Sequence, residues 1–299
     1  MNTLTVSLIM AIVSPFIWGF MNTLDKFVVS RKIKNPLSYT LVAGLVNLCI
    51  GVILALFLDW SNLTLLNLGF PLLAGVIFGS QFFLYYYMLS KEDVSDVIGW
   101  IYVYPIIVAL LSFFFINEKL SLISYVGMGL ILFGALMLSI KSKKIKIKVS
   151  IWAIISLILI VALYEFFIKI ATASIPELNG ISLSCIAVGL VISLGFIHKK
   201  TRKGFTKELK NIKWAILVES LTFFGIFTTY YSMAGLPATV VSSLAATQPL
   251  TVLIIEKIFY KAGYSISKDK NFLSKLIPIS LIVLGVIIMY SQELMLLLF

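Results

Sequence analysis

Ten apolar stretches, each about the length of one membrane crossing, constrain this chain more than any other feature. A helix rising 1.5 Å per residue needs about twenty residues to cross roughly 30 Å of hydrocarbon. Such stretches run at 4–28, 37–58, 69–89, 94–116, 121–140, 150–172, 180–197, 214–233, 237–259 and 275–297. The expected fold is all-α, a polytopic membrane protein of ten transmembrane helices. Links such as Asn117-Glu118-Lys119 and Gly235-Leu236-Pro237 are short, and short links make sequential helices antiparallel neighbours. The first stretch lacks a basic leader and a small-residue cleavage pattern, so it reads as a retained span.

Composition narrows the function. Of 299 residues, 60% are apolar and 12% charged, with a mean hydropathy of +1.05; soluble domains carry about a quarter charged residues. The net charge of +11 sits in short clusters between apolar stretches. That is the pattern of cytoplasmic loops, not of a nucleic-acid-binding face. Cys49 and Cys185 lie inside apolar runs, and the single histidine, His198, lies in a Lys-rich loop. They offer neither metal spacing nor a disulfide framework. No phosphate loop and no Ser-His-Asp set is present, so no catalytic residue, metal or cofactor is expected. ATP-driven transport would require a separate soluble partner.

The chain also repeats itself. At an offset of 144, Asn35 meets Asn179, Ser38 meets Ser182, Tyr86-Tyr87 meets Tyr230-Tyr231 and Pro105 meets Pro249; at 143, Lys26 meets Lys169. Two halves follow, residues 1–145 and 146–299, with five spans each. An odd span count turns the second half over in the membrane, and the charges agree independently. Arg31-Lys32-Ile33-Lys34 corresponds to an uncharged stretch before Asn179, whereas the uncharged stretch after Asp59 corresponds to the Lys199–Lys213 cluster. Of the 24 Lys and Arg, all but Lys119 and Lys169 fall on one side. That side is expected to be cytoplasmic, with both termini outside and the chain in the plasma membrane. Inverted repeats of this kind belong to secondary transporters that rock around a midplane site.

The chain resembles the drug/metabolite transporter superfamily, in particular its EamA-type members. The resemblance rests on Trp18-Gly19 with Lys26 in span one, and on Pro105 followed by Glu118-Lys119-Leu120-Ser121 and a Gly-bearing fifth span. It implies a central cavity lined chiefly by spans one, three, four, six, eight and nine, and export or exchange of small metabolites. The second half departs from the pattern, since Pro249 is followed by Glu256-Lys257 at a shorter spacing.

Ionisable groups within spans are functional candidates by default. Glu165 precedes Lys169 by four residues, the spacing of a favourable helical ion pair; Glu165 is alternatively a contact for substrate or a coupling proton. Glu219, whose repeat partner is Gly75, either snorkels to the surface or faces the cavity as a carboxylate for an amine-bearing solute. Pro105 and Pro249 are candidate hinges, each freeing a carbonyl, and Gln248 is a candidate partner or ligand. Trp18, Asn22, Gln81, Tyr85, Tyr102 and Tyr164 complete the cavity candidates. Gly127, Gly129 and Gly134 are expected as close helix contacts. The expected activity is secondary transport of a small polar or amphipathic metabolite, such as an amino acid. The alternatives are proton-coupled efflux of lipophilic cations and a non-transporting membrane scaffold.

Overall fold

The computed structural model describes residues 3–33, 35–61, 63–92, 94–139, 148–261, 263 and 276–298. Among them the chain is helical, with no strand. The basic runs at 140–147 and 264–275 lie outside the described residues.

Helix boundaries follow from capping chemistry. α1 spans Thr3–Arg31. Asn35 then caps α2 (Pro36–Phe57), its side chain accepting from Leu37 N–H at 3.1 Å while Pro36 opens the helix. Asn and Pro are favoured at these positions because the first-turn N–H groups lack intrahelical partners. Thr64 caps α3 (Leu65–Lys91) and Ser150 caps α7 (Ile151–Thr172) in the same manner. α8 (Glu177–Ser193) continues into a 3₁₀ turn, and the basic segment after it forms a short helix, α9 (Lys199–Lys207). α10 (Ile212–Gly235) follows.

Two expected spans are broken, at matching places. Residues 94–116 form α4 (Val94–Ile101) and α5 (Tyr104–Phe115), separated by a turn at Tyr102-Val103. Residues 237–259 form α11 (Ala238–Ala245) and α12 (Gln248–Lys261), separated at Ala246-Thr247. Pro105 and Pro249 sit at the second position of the helix that resumes. Proline lacks the N–H that the ladder would need there, and its ring clashes with the preceding turn. Each therefore ends one helix and starts another, a larger departure than a kink in a continuous span. α6 (Leu122–Ser139) and α13 (Leu276–Leu298) pair with one another.

Among the described residues seven helical segments, with the interrupted 238–261 counted as one, are long and apolar enough to cross a membrane, and three shorter apolar helices occupy 104–115, 122–137 and 277–289. Large side chains such as Phe57, Leu65 and Phe114 stand outward, 84, 87 and 74% exposed. Water would make such a surface aggregate; lipid does not. The polar residues turn inward instead. Asp25, Lys26, Glu165 and Glu219 are all buried, the reverse of soluble patterning.

Close packing depends on glycine. A Cβ on Gly127 would lie 2.9 Å from Gly285 O, and one on Gly285 only 2.6 Å from Gly127 O, so α6 and α13 meet backbone to backbone there. Gly134 is equally tight against Pro278 O. Gly129 faces open space, so the expectation of a helix contact fails at that position: it lies on the opposite face of α6.

Two lysines join helices by a shared geometry. Lys26 on α1 donates to the carbonyls of Leu89 and Glu92 at 2.7 and 2.6 Å, at the end of α3. Lys169 on α7 donates to Met233 O and Leu236 O at 2.9 and 2.7 Å, at the end of α10. The last carbonyls of a helix lack intrahelical partners and carry its negative dipole end, so an ammonium there is doubly favoured.

Candidate functional site

A cavity opens at the centre of the bundle, walled by α1, α3, α7 and α10 and by the two broken segments. Its free space is about 880 Å³ including the open mouth, room for a small solute. The breaks put side chains at its rim: Tyr102 and Tyr104 from the first, Val241, Ala245 and Gln248 from the second.

One wall is aromatic. The rings of Phe78 and Tyr164 stack at 4.2 Å and 14°, while Trp18 and Phe82 stand edge-on to Phe78 at 6.3 and 5.0 Å. Trp18 is held by its Nε1–H, which donates to Thr229 Oγ1 at 3.0 Å. Its ring lies on Gly225, where a Cβ would come within 2.8 Å of Cε2. Only a residue without a side chain lets the indole settle at that depth.

The polar groups form two sets. In the first, the Tyr104 hydroxyl donates to Glu165 Oε1 at 2.8 Å, and Glu165 Oε2 has no protein partner. In the second, the Tyr39 hydroxyl donates to Asp25 Oδ1 at 2.6 Å. The Tyr85 hydroxyl reaches Asn22 Oδ1 at 2.8 Å and Asp25 Oδ2 at 3.4 Å, and the Tyr86 hydroxyl donates to Glu219 Oε1. Gln81 Oε1, Tyr164 OH and Gln248 Nε2 are buried atoms without protein partners. Lys, Arg and His are absent from the described lining residues.

The structure brings Trp18, Asn22, Gln81, Tyr85, Tyr102, Tyr164, Glu165 and Gln248 to this one cavity. Glu219 stands outside the lining, behind Tyr86, and at 1% exposure it does not snorkel. Pro105 and Pro249 lie off the wall, next to lining residues. Glu165 and Lys169 are not brought together: Glu165 turns to Tyr104, and the Lys169 ammonium to the end of α10. The reason is competition, because orphan carbonyls on a neighbouring helix outbid an i+4 carboxylate already held by a hydroxyl. The carboxylate that acts on Lys169 is Glu118. Burial pushes the Glu118 carboxyl above its ordinary range, and the Lys169 ammonium opposes that shift.

Asp25 and Tyr104 were not among the sequence candidates. Asp25 was findable, being a carboxylate inside the first apolar stretch, but its neighbours Lys26 and Arg31 make it look like a loop margin. Tyr104 carried no separate signal.

The described residues form a multi-pass membrane architecture, apolar outside, with a small cavity of aromatic and polar residues open at the centre. Residues 5–140 match the model of the EamA-like transporter family, which belongs to the drug/metabolite transporter superfamily. No curated protein matches the sequence. A solved structure, titled only as the crystal structure of a protein, covers 98% of this chain and 98% of its own length. It does so with a TM-score of 0.68 at 13% identity, a likeness of fold alone.

Proposed function

We propose that this protein is a secondary transporter that exports or exchanges a small amphipathic metabolite bearing an amino group, such as an amino acid, by alternating access. One observation carries the reading. Four buried polar atoms without protein partners, Gln81 Oε1, Tyr164 OH, Glu165 Oε2 and Gln248 Nε2, all belong to residues of one cavity. Buried polar groups are nearly always bonded, and leaving one unbonded costs about 1–3 kcal/mol. A solute with donors and acceptors on an apolar body would satisfy them. An ammonium suits Glu165 and the faces of Phe78 and Tyr164.

Alternating access is supported by internal symmetry, read as ten spans in two inverted halves, residues 1–145 and 146–299. The helix breaks at Tyr102 and Ala246 are 144 residues apart. So are the carbonyl pairs held by Lys26 and Lys169, Leu89 with Met233 and Glu92 with Leu236. The Gly127–Gly285 and Gly134–Pro278 contacts are one contact seen twice, since Pro278 and Gly285 stand 151 residues after Gly127 and Gly134. Discontinuous helices meeting at a central site are the recurrent device of such carriers. The basic loops favour a plasma-membrane orientation with both termini outside. Pro105 and Pro249 then serve as hinges where the helices resume.

The test is counterflow in proteoliposomes loaded with unlabelled amino acids or biogenic amines, following labelled counterparts. At least one should exchange, and Glu165→Gln should slow it by roughly 10- to 100-fold, the worth of one charge-assisted hydrogen bond. Folded protein that exchanges nothing would overturn the reading. Exchange restricted to lipophilic cations would favour the efflux alternative, for which the cation-free, aromatic wall is the supporting observation. A non-transporting scaffold is disfavoured because the cavity presents several buried polar atoms without protein partners.

A further inference from the structure

The geometry points to a proton site at the edge of the cavity: Asp25, which lines it, and Glu219 behind it together bind one proton, so that solute and ion meet one carboxylate pair from two sides. This rests on the transport reading above and adds the ion to it. Asp25 comes from α1 and Glu219 from α10, and both side chains are buried, 4 and 1% exposed. Tyrosines connect them. Tyr39 donates to Asp25 and Tyr86 to Glu219, and the Tyr39 and Tyr86 rings touch edge to face at 4.4 Å. Tyr39, Tyr85 and Tyr86 each lie within the field of both carboxylates.

The hydrogen-bond inventory leaves Glu219 half-satisfied. Glu219 Oε1 accepts from Tyr86, whereas Oε2 is buried without any partner. The charged group acting on Glu219 is Asp25, a like charge. Two carboxylates in an apolar interior cannot both stay ionised cheaply, since each unpaired charge costs several kcal/mol. One proton held by Glu219 removes one of those charges, while Asp25, whose two oxygens accept from Tyr39 and Tyr85, keeps the other.

Other ionisable groups packed around α10 are engaged elsewhere or exposed. From α7, Tyr164 and Glu165 act on the Tyr102–Tyr104 side, and from α8 Cys185 acts on Tyr164 and Tyr230. α11 carries no ionisable side chain. Lys210 and Lys213 are exposed near the start of α10, and Lys32 lies over the Trp214 ring at 5.0 Å. Lys26, next in sequence to Asp25, gives its ammonium to Leu89 O and Glu92 O. Asp25, Tyr85 and Tyr86 also line the cavity while Glu219 stands behind them. A solute in the cavity would therefore meet one face of the pair, and the proton the other.

The test needs no solute. Purified full-length protein carrying Glu165→Gln, which silences the other set, is titrated while the C=O stretch of protonated carboxyl groups is followed by infrared difference spectroscopy. A protonated carboxyl at neutral pH that Glu219→Gln abolishes is the expected result. Asp25→Asn should retain the band but move its titration to lower pH by at least about one unit, the coupling of a close like charge. Tyr86→Phe should shift the frequency of the band without removing it, which guards against a variant that merely misfolds. A neutral-pH spectrum unchanged by Glu219→Gln, with the Tyr86→Phe spectrum also unchanged, would overturn the site. Loss of this band test leaves counterflow intact, and loss of counterflow leaves the band, so the two readings fail separately.

Discussion

The two ends of the bundle are built alike at one pair of positions and differently at another. Lys26 and Lys169 hold the ends of α3 and α10 by the same two carbonyls, offset by 144 residues. Tyr86 and Tyr230 share that offset too, yet their hydroxyls meet different partners: Glu219 for Tyr86, Ser184 for Tyr230. Opposite Tyr86 stands a carboxylate; its equivalent near Tyr230 is Gly75, and a Cβ on Gly75 would lie only 2.3 Å from Ser184 O. The lesson is a division of labour. The lysines that tie helices together recur in both halves, whereas the buried carboxylates Asp25, Glu165 and Glu219 have no carboxylate at the matching place in the other half.

That contrast can be broken in several ways. The largest expected effect is on transport. Glu165→Gln should slow counterflow roughly 10- to 100-fold, as above, while the equivalent Asn22→Asp, which adds a carboxylate at the matching place, should not restore it. Recovery in the double variant would mean the halves are interchangeable. Next come the lysines. Lys26→Met and Lys169→Met should each cost about 1.5–3 kcal/mol, since two carbonyls lose a charged donor. Thermal unfolding in detergent should show similar drops for both; a drop in only one would break the likeness.

A smaller effect separates the tyrosines by pH. Tyr86→Phe should alter the pH dependence of counterflow because it touches Glu219, whereas Tyr230→Phe should change its rate without changing its pH profile. Gly225→Ala should cost about 1–3 kcal/mol through overpacking against Trp18 and weaken solute binding, measured as a higher half-saturation concentration. The smallest effect concerns Glu118. Its carboxyl lies above the ordinary value of 4.5, chiefly because of burial. The folded state thus binds the proton more tightly than the unfolded one, and stability falls as pH rises from 4.5 through the raised value. Glu118→Gln should flatten that decline, read as melting temperature against pH.

Much of this was legible in order along the chain. Apolar length located the helices, and paired prolines at one offset marked, as expected hinges, the two places where the structure breaks a span outright. Trp18, Gln81 and Gln248 were recognisable as polar or amphipathic groups out of place in lipid. Asp25 could have been found by the same rule, but it was masked by flanking basic residues. The Glu165–Lys169 expectation failed for a different reason. Spacing within one helix says which groups can meet, not which partner on another helix competes for them.

The sequence by itself determined the solvent of this protein, its helices and its internal repetition, because each is a local or periodic property of residue type. Only the tertiary structure decided which polar groups face one cavity, which lysine meets which carbonyl, and that touching tyrosines link Asp25 to Glu219. Those are contacts between residues far apart in sequence, 211 apart for Trp18 and Thr229. In a low-dielectric interior such contacts are settled by which buried group most needs a partner.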